Sequence, residues 1–175
     1  IIEDFLIELN KKKMIKYVIL RYFNPAGCHQ SGLLGDEPNG TANNLFPYIL
    51  QLIKGKHKKL KIYGSNFKTK DGTGARDYIH IDDLVDAHIK SLKIVKKKKS
   101  EILNIGTGKA YTVLEIVKTF QNCLNYNIKY EYFKKRKGDL AIYFNNIKKS
   151  KKILNWEAKK NLEDMCSSIY RYGNK

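Results

Sequence analysis

Cysteine, arginine and long apolar runs are all scarce in this 175-residue chain. The three cysteines, Cys28, Cys123 and Cys166, are odd in number and unclustered. That spacing argues against a disulfide framework and against a zinc site, and it favours a reducing compartment. No metal site is expected. No apolar run reaches the roughly 18 residues that a membrane span needs, and no signal-peptide pattern is present. Membrane association is therefore not expected, and a cytoplasmic location is. There are no internal repeats and no low-complexity linker, so nothing marks a repeat array or a tethered pair of domains.

Acidic residues are also few. Seventeen Asp and Glu face 34 Lys and Arg, for a net charge of +17. Such a balance raises nucleic-acid binding as a function class. Yet only four of the cations are Arg, at positions 21, 76, 136 and 171, and the rest are Lys, many in runs such as Lys11–Lys13, Lys96–Lys99 and Lys148–Lys152. Base and phosphate recognition recruits the planar Arg fork, whereas lysine runs at helix ends form solvated surface. No nucleic-acid partner is expected on that ground. A basic binding module stays as an alternative from a different function class.

With 42% hydrophobic residues the chain can bury a core and is not a disordered tail. Ile1, Ile2, Phe5, Leu6 and Leu9 recur at helical spacing, with Glu3 and Asp4 early and lysines late, which predicts a helix at the start. A helix beginning at residue one without a lead-in carries the expectation that more chain precedes Ile1. Residues 17–23 (YVILRYF) predict a buried strand, and NPAG after it a turn. A helix is predicted over 43–54, with Leu45, Tyr48, Ile49 and Leu52 on one face and Gly55 as its stop. Strands are predicted at 60–63, 77–81, 102–105 and 128–133. Helices are predicted after Asp82 or Asp83 as N-cap, after Thr112 with Glu115 completing a capping box, and over 145–154 and 161–172. This alternation predicts an α/β fold. The loops at 28–43 and 64–75 are long enough to be functional candidates.

Several segments could carry chemistry. GTGKAY (106–111) follows a strand and opens a helix, but Tyr111 stands where a dinucleotide loop needs its third glycine, so Gly106 and Gly108 read as turn glycines. Asn24 follows a buried strand, where α/β folds place ligands, and reads equally as a turn initiator before Pro25. Arg76, after the DGTG loop, suits a pyrophosphate, or else pairs with Asp77 or Asp82. His80 with Asp82 and Asp83 reads as strand-to-helix packing rather than as a metal set. Arg136 and Asp139 pair a phosphate-binding fork with a hydroxyl acceptor, or form a charged surface turn. His29, His57 and His88 have no evident partners. No nucleophile elbow, HExxH or P-loop is present, and no catalytic set is complete.

Taken in order, LRYFNPAGCHQSGLLGDEP, NNLFPYI, KIYG, DGTGARDYIHIDDLVDAH, LNIGTG, RKGDLAIYF and the LNW ending at Trp156 resemble the UDP-glucose 4-epimerases of the extended short-chain dehydrogenase/reductase family. The likeness spans nearly the whole chain, and the DGTG-A-RDYIH loop is its most specific part. The resemblance implies the C-terminal part of a Rossmann-like NAD-binding fold, interleaved over residues 1–175 with the small α/β substrate-binding domain. It implies NAD as cofactor, UDP-glucose and UDP-galactose as substrates, and a homodimer when the protein is full-length. The implied reaction removes and returns hydride at the hexose C4 through a 4-keto intermediate, with the hard chemistry carried by the cofactor. Other nucleotide-sugar epimerases or dehydratases are the alternative within the same family.

Residue by residue, the resemblance implies that Tyr22 and Phe23 border the nicotinamide side of the pocket. Asn24 contacts substrate, and Asn44 with the backbone at Leu45 holds the diphosphate or neighbouring sugar. Lys61, Ile62 and Tyr63 line the uracil, mainly through an extended backbone and with Tyr63 as a stacking face, and the Lys61 side chain is turned away. Arg76 and Arg136 grip the pyrophosphate, Asp139 accepts from ribose hydroxyls, and Tyr143 limits pocket size beside the hexose. The acid/base Tyr-x-x-x-Lys pair of the family is expected upstream of Ile1, and Tyr126 is followed four residues later by Tyr130 rather than Lys. No catalytic residue is therefore assigned within the chain, which is expected to be inactive alone.

Overall fold

The computed structural model describes residues 1–173. The elements run α1 (Ile2–Lys11), β1 (Val18–Tyr22), β2 (Asn24–Ala26), α2 (Leu45–Ile53), β3 (Leu60–Tyr63), β4 (Ala75–His80) and α3 (Ile81–Lys96). They continue as β5 (Glu101–Ile105), β6 (Ala110–Thr112), α4 (Val113–Leu124), β7 (Tyr130–Phe133), β8 (Ile142–Tyr143), α5 (Lys148–Leu154) and α6 (Leu162–Gly173). No described helix is long and apolar enough to cross a membrane.

Strand pairing is mostly parallel. β1 runs alongside β5 in register Val18↔Glu101 to Tyr22↔Ile105. β3 runs alongside β7 from Leu60↔Tyr130 to Tyr63↔Phe133. In the third sheet β4 is the hub: it pairs in parallel with β2 and β8 and antiparallel with β6. Arg76 lies in that hub, opposite Tyr111 on one side and Tyr143 on the other.

Two apolar clusters hold the frame. One gathers Phe46, Ile49 and Leu50 of α2, Ile62 of β3, Phe120 of α4 and Met165 of α6. The other packs Leu84 and Ala87 of α3 against Leu103 and Ile105 of β5, closed by Leu154 and Trp156. Each fully buried side chain of this size contributes about 1.5–3 kcal/mol. Truncating Phe120, which is fully enclosed, to Ala costs about 3–5 kcal/mol.

Local signals explain some of the element ends. Thr112 Oγ1 accepts from the Glu115 N–H at 3.2 Å while the Thr112 N–H donates to Glu115 Oε2 at 2.8 Å, the reciprocal box expected there. Pro47 sits in the first turn of α2, where its missing N–H would have had no helical partner.

Three local expectations change. The run 17–23 is not one strand: β1 ends at Tyr22, and residues 24–26 of the supposed turn are extended as β2, joining a different sheet. The parallel ladder with β4 overrides the turn propensity of Asn-Pro, and the chain leaves the strand at Gly27, whose φ is +81°. The N-cap of α3 is His80, not Asp82 or Asp83: its Nδ1 accepts from the Asp82 N–H at 3.1 Å. Asp83 instead accepts from the backbone N–H groups of Lys159 and Lys160. The other three histidines do have partners. His57 lies flat on Tyr48 with centroids 4.6 Å apart, His88 Nδ1 is 2.8 Å from the Leu84 carbonyl, and His29 Nδ1 is 2.8 Å from Ser31 Oγ.

Candidate functional site

The principal cleft has a volume of about 440 Å³ and opens where several strand and helix ends converge. Phe23 and Asn24 line it at the start of β2, and Asn44 and Leu45 at the N-terminus of α2. The extended segment Lys61–Tyr63 forms another wall. Arg76 enters from β4, and Arg136 and Asp139 come from the loop after β7. Residues distant in sequence and expected to act together are thus brought to one cavity.

Charge in the cleft is organised around one carboxylate. Asp139 Oδ1 is 3.8 Å from Arg76 Nη2, and its Oδ2 is 3.8 Å from Arg136 Nε. Neither Asp77 nor Asp82 pairs with Arg76, the other partners considered from sequence. Arg76 also donates from Nη1 to the carbonyls of Ala75 and Leu140, each at 2.8 Å. These bonds fix the guanidinium plane and leave its remaining donors toward the cleft. Arg136 lies over the Tyr63 ring, Cζ 4.3 Å from the centroid. Two guanidinium forks in one concavity form a natural receptor for a diphosphate, whose oxygens pair with such forks two at a time.

The position of Arg76 traces to its neighbour. Asp77 is fully buried, and its carboxylate fills the Gly-Thr-Gly loop at 106–108. Oδ1 accepts from the Thr107 N–H at 2.9 Å and from Thr107 Oγ1 at 2.6 Å, and Oδ2 accepts from the Gly108 N–H at 2.9 Å. Successive backbone N–H groups form an anion nest here, and the anion is internal. A Cβ at Gly106 would lie 2.6 Å from Asp77 Oδ2, so only glycine allows the approach. These are the two turn glycines of the sequence, given a definite task. Alternation along β4 buries Asp77 and turns Arg76 to the cleft. Asn24 adds a strap: its Nδ2 donates to the Asp77 carbonyl at 2.8 Å.

The loop 64–75 is tied rather than open. Asp71 Oδ1 accepts from the Thr73 N–H at 2.9 Å and the Thr73 hydroxyl at 2.7 Å, and its other oxygen accepts from the Thr112 hydroxyl. Burial works to raise the Asp71 carboxyl pKa, but these bonds outweigh it and leave the pKa below the usual carboxylate value. Gly72 has φ +79°, and a Cβ there would meet the Ser65 carbonyl at 2.3 Å. The knot delivers the chain to Gly74 and Arg76, and it sets Phe67 against the cleft.

Two residues singled out from sequence stand apart. Tyr22 is half exposed and leans on His88 with centroids 5.9 Å apart. Tyr143 is half exposed, and its ring stacks on the cleft residue Phe23 at 4.8 Å. Lys61 points its ammonium over the Phe133 ring, 5.4 Å from the centroid. Four cleft aromatics were not among the site residues read from sequence: Phe46, Tyr48, Phe67 and Tyr78. Tyr48 follows Asn44 by one helical turn, the signal that could have found it. Burial raises the Tyr48 hydroxyl pKa and pushes that of Tyr78 up to about 12, so both are neutral hydrogen-bonding groups at pH 7.

The Tyr-x-x-x-Lys spacing does occur within the chain. Tyr130 and Lys134 have it, but Tyr130 opens the strand β7. Four residues span about 13 Å along a strand, against about 6 Å along a helix. The lysine therefore stands too far along the chain to act on the tyrosine proton.

The profile of the "NAD dependent epimerase/dehydratase family" matches residues 1–106. The chain is 45% identical over 155 residues to the UDP-glucose 4-epimerase of Bacillus subtilis, covering 88% of this chain and 46% of that protein. It is 41% identical over 174 residues to the UDP-glucose 4-epimerase of Drosophila melanogaster, covering 97% and 50%. Among solved structures, the UDP-glucose 4-epimerase of Stenotrophomonas maltophila, with bound NAD and formylated UDP-arabinopyranose, superposes with a TM-score of 0.96 at 35% identity, covering 99% of this chain and 52% of that one. The Bifidobacterium longum enzyme in complex with NAD+ and UDP gives 0.92 at 36% identity, covering 98% and 52%. The chain thus spans about half the length of these relatives. With the profile matched over more than half its length, this chain belongs to the NAD dependent epimerase/dehydratase family.

Proposed function

We propose that this chain is the nucleotide-sugar-holding part of a UDP-glucose 4-epimerase, which interconverts UDP-galactose and UDP-glucose with NAD. The observation that carries this reading is the convergence of Arg76, Arg136 and Asp139 in one cleft with the extended strand 61–63. A diphosphate lies between the two guanidinium forks, exchanging the Asp139 carboxylate for phosphate oxygens. Asp139 then accepts from the ribose hydroxyls. The uracil runs along the backbone of Lys61, Ile62 and Tyr63. Asn24, Asn44 and the Leu45 N–H at the start of α2 serve the diphosphate and the hexose, aided by the positive end of that helix. Phe23, backed by the Tyr143 ring, walls the hexose end, and Tyr22 lies outside the cleft on the nicotinamide side.

NAD, when bound, supplies the acceptor that takes hydride from the hexose C4 and returns it. Toward NAD this chain offers the Phe23 ring. Its Gly106–Gly108 nest is filled by Asp77 and cannot take a cofactor phosphate. No catalytic acid/base pair stands among the described residues, so this chain binds and orients the nucleotide sugar, and the proton on the C4 hydroxyl is moved elsewhere. The same reading includes a cytoplasmic homodimer for the complete protein.

The test is turnover of UDP-galactose. A complete polypeptide carrying this sequence should form UDP-glucose, and Arg76→Ala should abolish the reaction. The 175-residue chain alone should form none. Measurable turnover by the chain alone contradicts the assignment of the acid/base step outside it.

A further inference from the structure

We infer that Tyr63 acts on the diphosphate end of the ligand, as a positioning residue for Arg136, and not as a stacking surface for the base. The inference deepens the proposed function and rests on its placing of a nucleoside diphosphate in the cleft. It starts from a conflict in the geometry. The Tyr63 ring lies in the strand that runs along the proposed base site, where an aromatic face invites stacking. One face is taken by the guanidinium: Arg136 Cζ sits 4.3 Å from the ring centroid. The ring is held in turn by Phe133, its register partner on β7, at 5.8 Å.

Arg136 needs such a support. It stands in the run Lys134–Lys137, where four consecutive cations repel one another, and its side chain is 59% exposed. Its carboxylate partner, Asp139, is shared with Arg76 at the same 3.8 Å. An ion pair that long and that exposed contributes little on its own. A guanidinium on a tyrosine face gains both stacking and cation–π attraction. Between them, Tyr63 beneath and Asp139 beside fix the plane of the fork before any ligand arrives. A pre-set fork loses less side-chain entropy on binding than a free one. Lys61 shows the contrast: on the same strand its ammonium is drawn to the Phe133 ring, leaving Tyr63 to Arg136.

The two roles for Tyr63 part on ligands that carry only one half of the nucleotide. Binding of inorganic pyrophosphate, uridine and UDP to the 175-residue chain and to its Tyr63→Leu and Tyr63→Phe variants separates them. Positioning predicts that Tyr63→Leu weakens pyrophosphate and UDP about fivefold to tenfold, leaves uridine unchanged, and is rescued by Tyr63→Phe. In an Arg136→Ala background the Tyr63→Leu effect on pyrophosphate should vanish. A ligand-free readout is independent of affinity: the Arg136 Nε–H resonance should be ring-current shifted in wild type and Tyr63→Phe, and unshifted in Tyr63→Leu. Loss of uridine and UDP affinity with pyrophosphate unmoved overturns the inference in favour of base stacking. An unshifted Arg136 signal in wild type overturns it as well. Failure of wild type to bind UDP at all overturns the proposed function, and the inference with it.

Discussion

The rings of Phe23 and Tyr143 stack 4.8 Å apart at an interplanar angle of 26°. Phe23 faces the cleft between β1 and β2, and Tyr143 comes from β8, held beside Arg76 by the β4 ladder. In the proposed function this tyrosine, acting through the Phe23 ring that it backs, limits the hexose end of the cleft. Replacing it in the complete enzyme by Tyr143→Ser should admit UDP-N-acetylglucosamine while retaining UDP-galactose. Substrate profiling decides, and unchanged selectivity removes Tyr143 as the size limit.

Asp77 and the Gly-Thr-Gly loop should be as sensitive as a core. Asp77→Ala strands the Thr107 and Gly108 N–H groups and should cost about 3 kcal/mol in urea unfolding. Gly106→Ala should cost a similar about 1–3 kcal/mol, because its Cβ overlaps the carboxylate and must displace it. Either variant within about 0.5 kcal/mol of wild type argues that the nest does not hold β4.

His80 makes stability depend on pH. Its Nδ1 accepts from Asp82, so the proton on Nε2 faces Ser168 Oγ at 3.2 Å. Burial lowers its pKa below 6.5, with help from Lys160 and against the pull of Asp82, Asp83 and Asp164. Below pH 6.5 the unfolded chain therefore takes up a proton that the folded chain refuses, and folding stability falls as the pH drops. Urea midpoints between pH 7.5 and 5.5 should decline, and His80→Gln should flatten the decline. An equal slope in that variant assigns the effect to other groups.

The cysteines should react unequally. Burial pushes the Cys28 thiol up to about 11 and raises that of Cys166 as well, while Cys123 is exposed. Native protein at neutral pH should take up one equivalent of iodoacetamide, at Cys123, and three in denaturant. Rapid labelling of Cys28 in the native protein would show that the NPAG corner opens.

Signals confined to a few residues were legible in the sequence. The Thr112–Glu115 box and the strand 60–63 come from adjacent side chains acting on their own backbone. The pairing of Asp77 with Gly106–Gly108 was hidden, since it joins segments that meet only through the sheet. The N-cap of α3 misled for a related reason: Asp82 and Asp83 are the better caps by type, but burial of His80 against Ser168 fixed its ring over the helix start. At the site, resemblance supplied the residues and the fold supplied their relations. That Asp139 serves two arginines follows from the pairing of β8 with β4, and that Arg136 rests on Tyr63 follows from the parallel pairing of β3 with β7. No local pattern encodes either pairing.

UDP binding to this chain, measured by calorimetry at physiological salt, tests the proposed function most directly. Saturable binding of one UDP per chain is predicted, abolished by Arg76→Ala and strongly weakened by Arg136→Ala. Absence of saturable UDP binding, or a tight and salt-resistant preference for a labelled oligonucleotide over UDP, would contradict it.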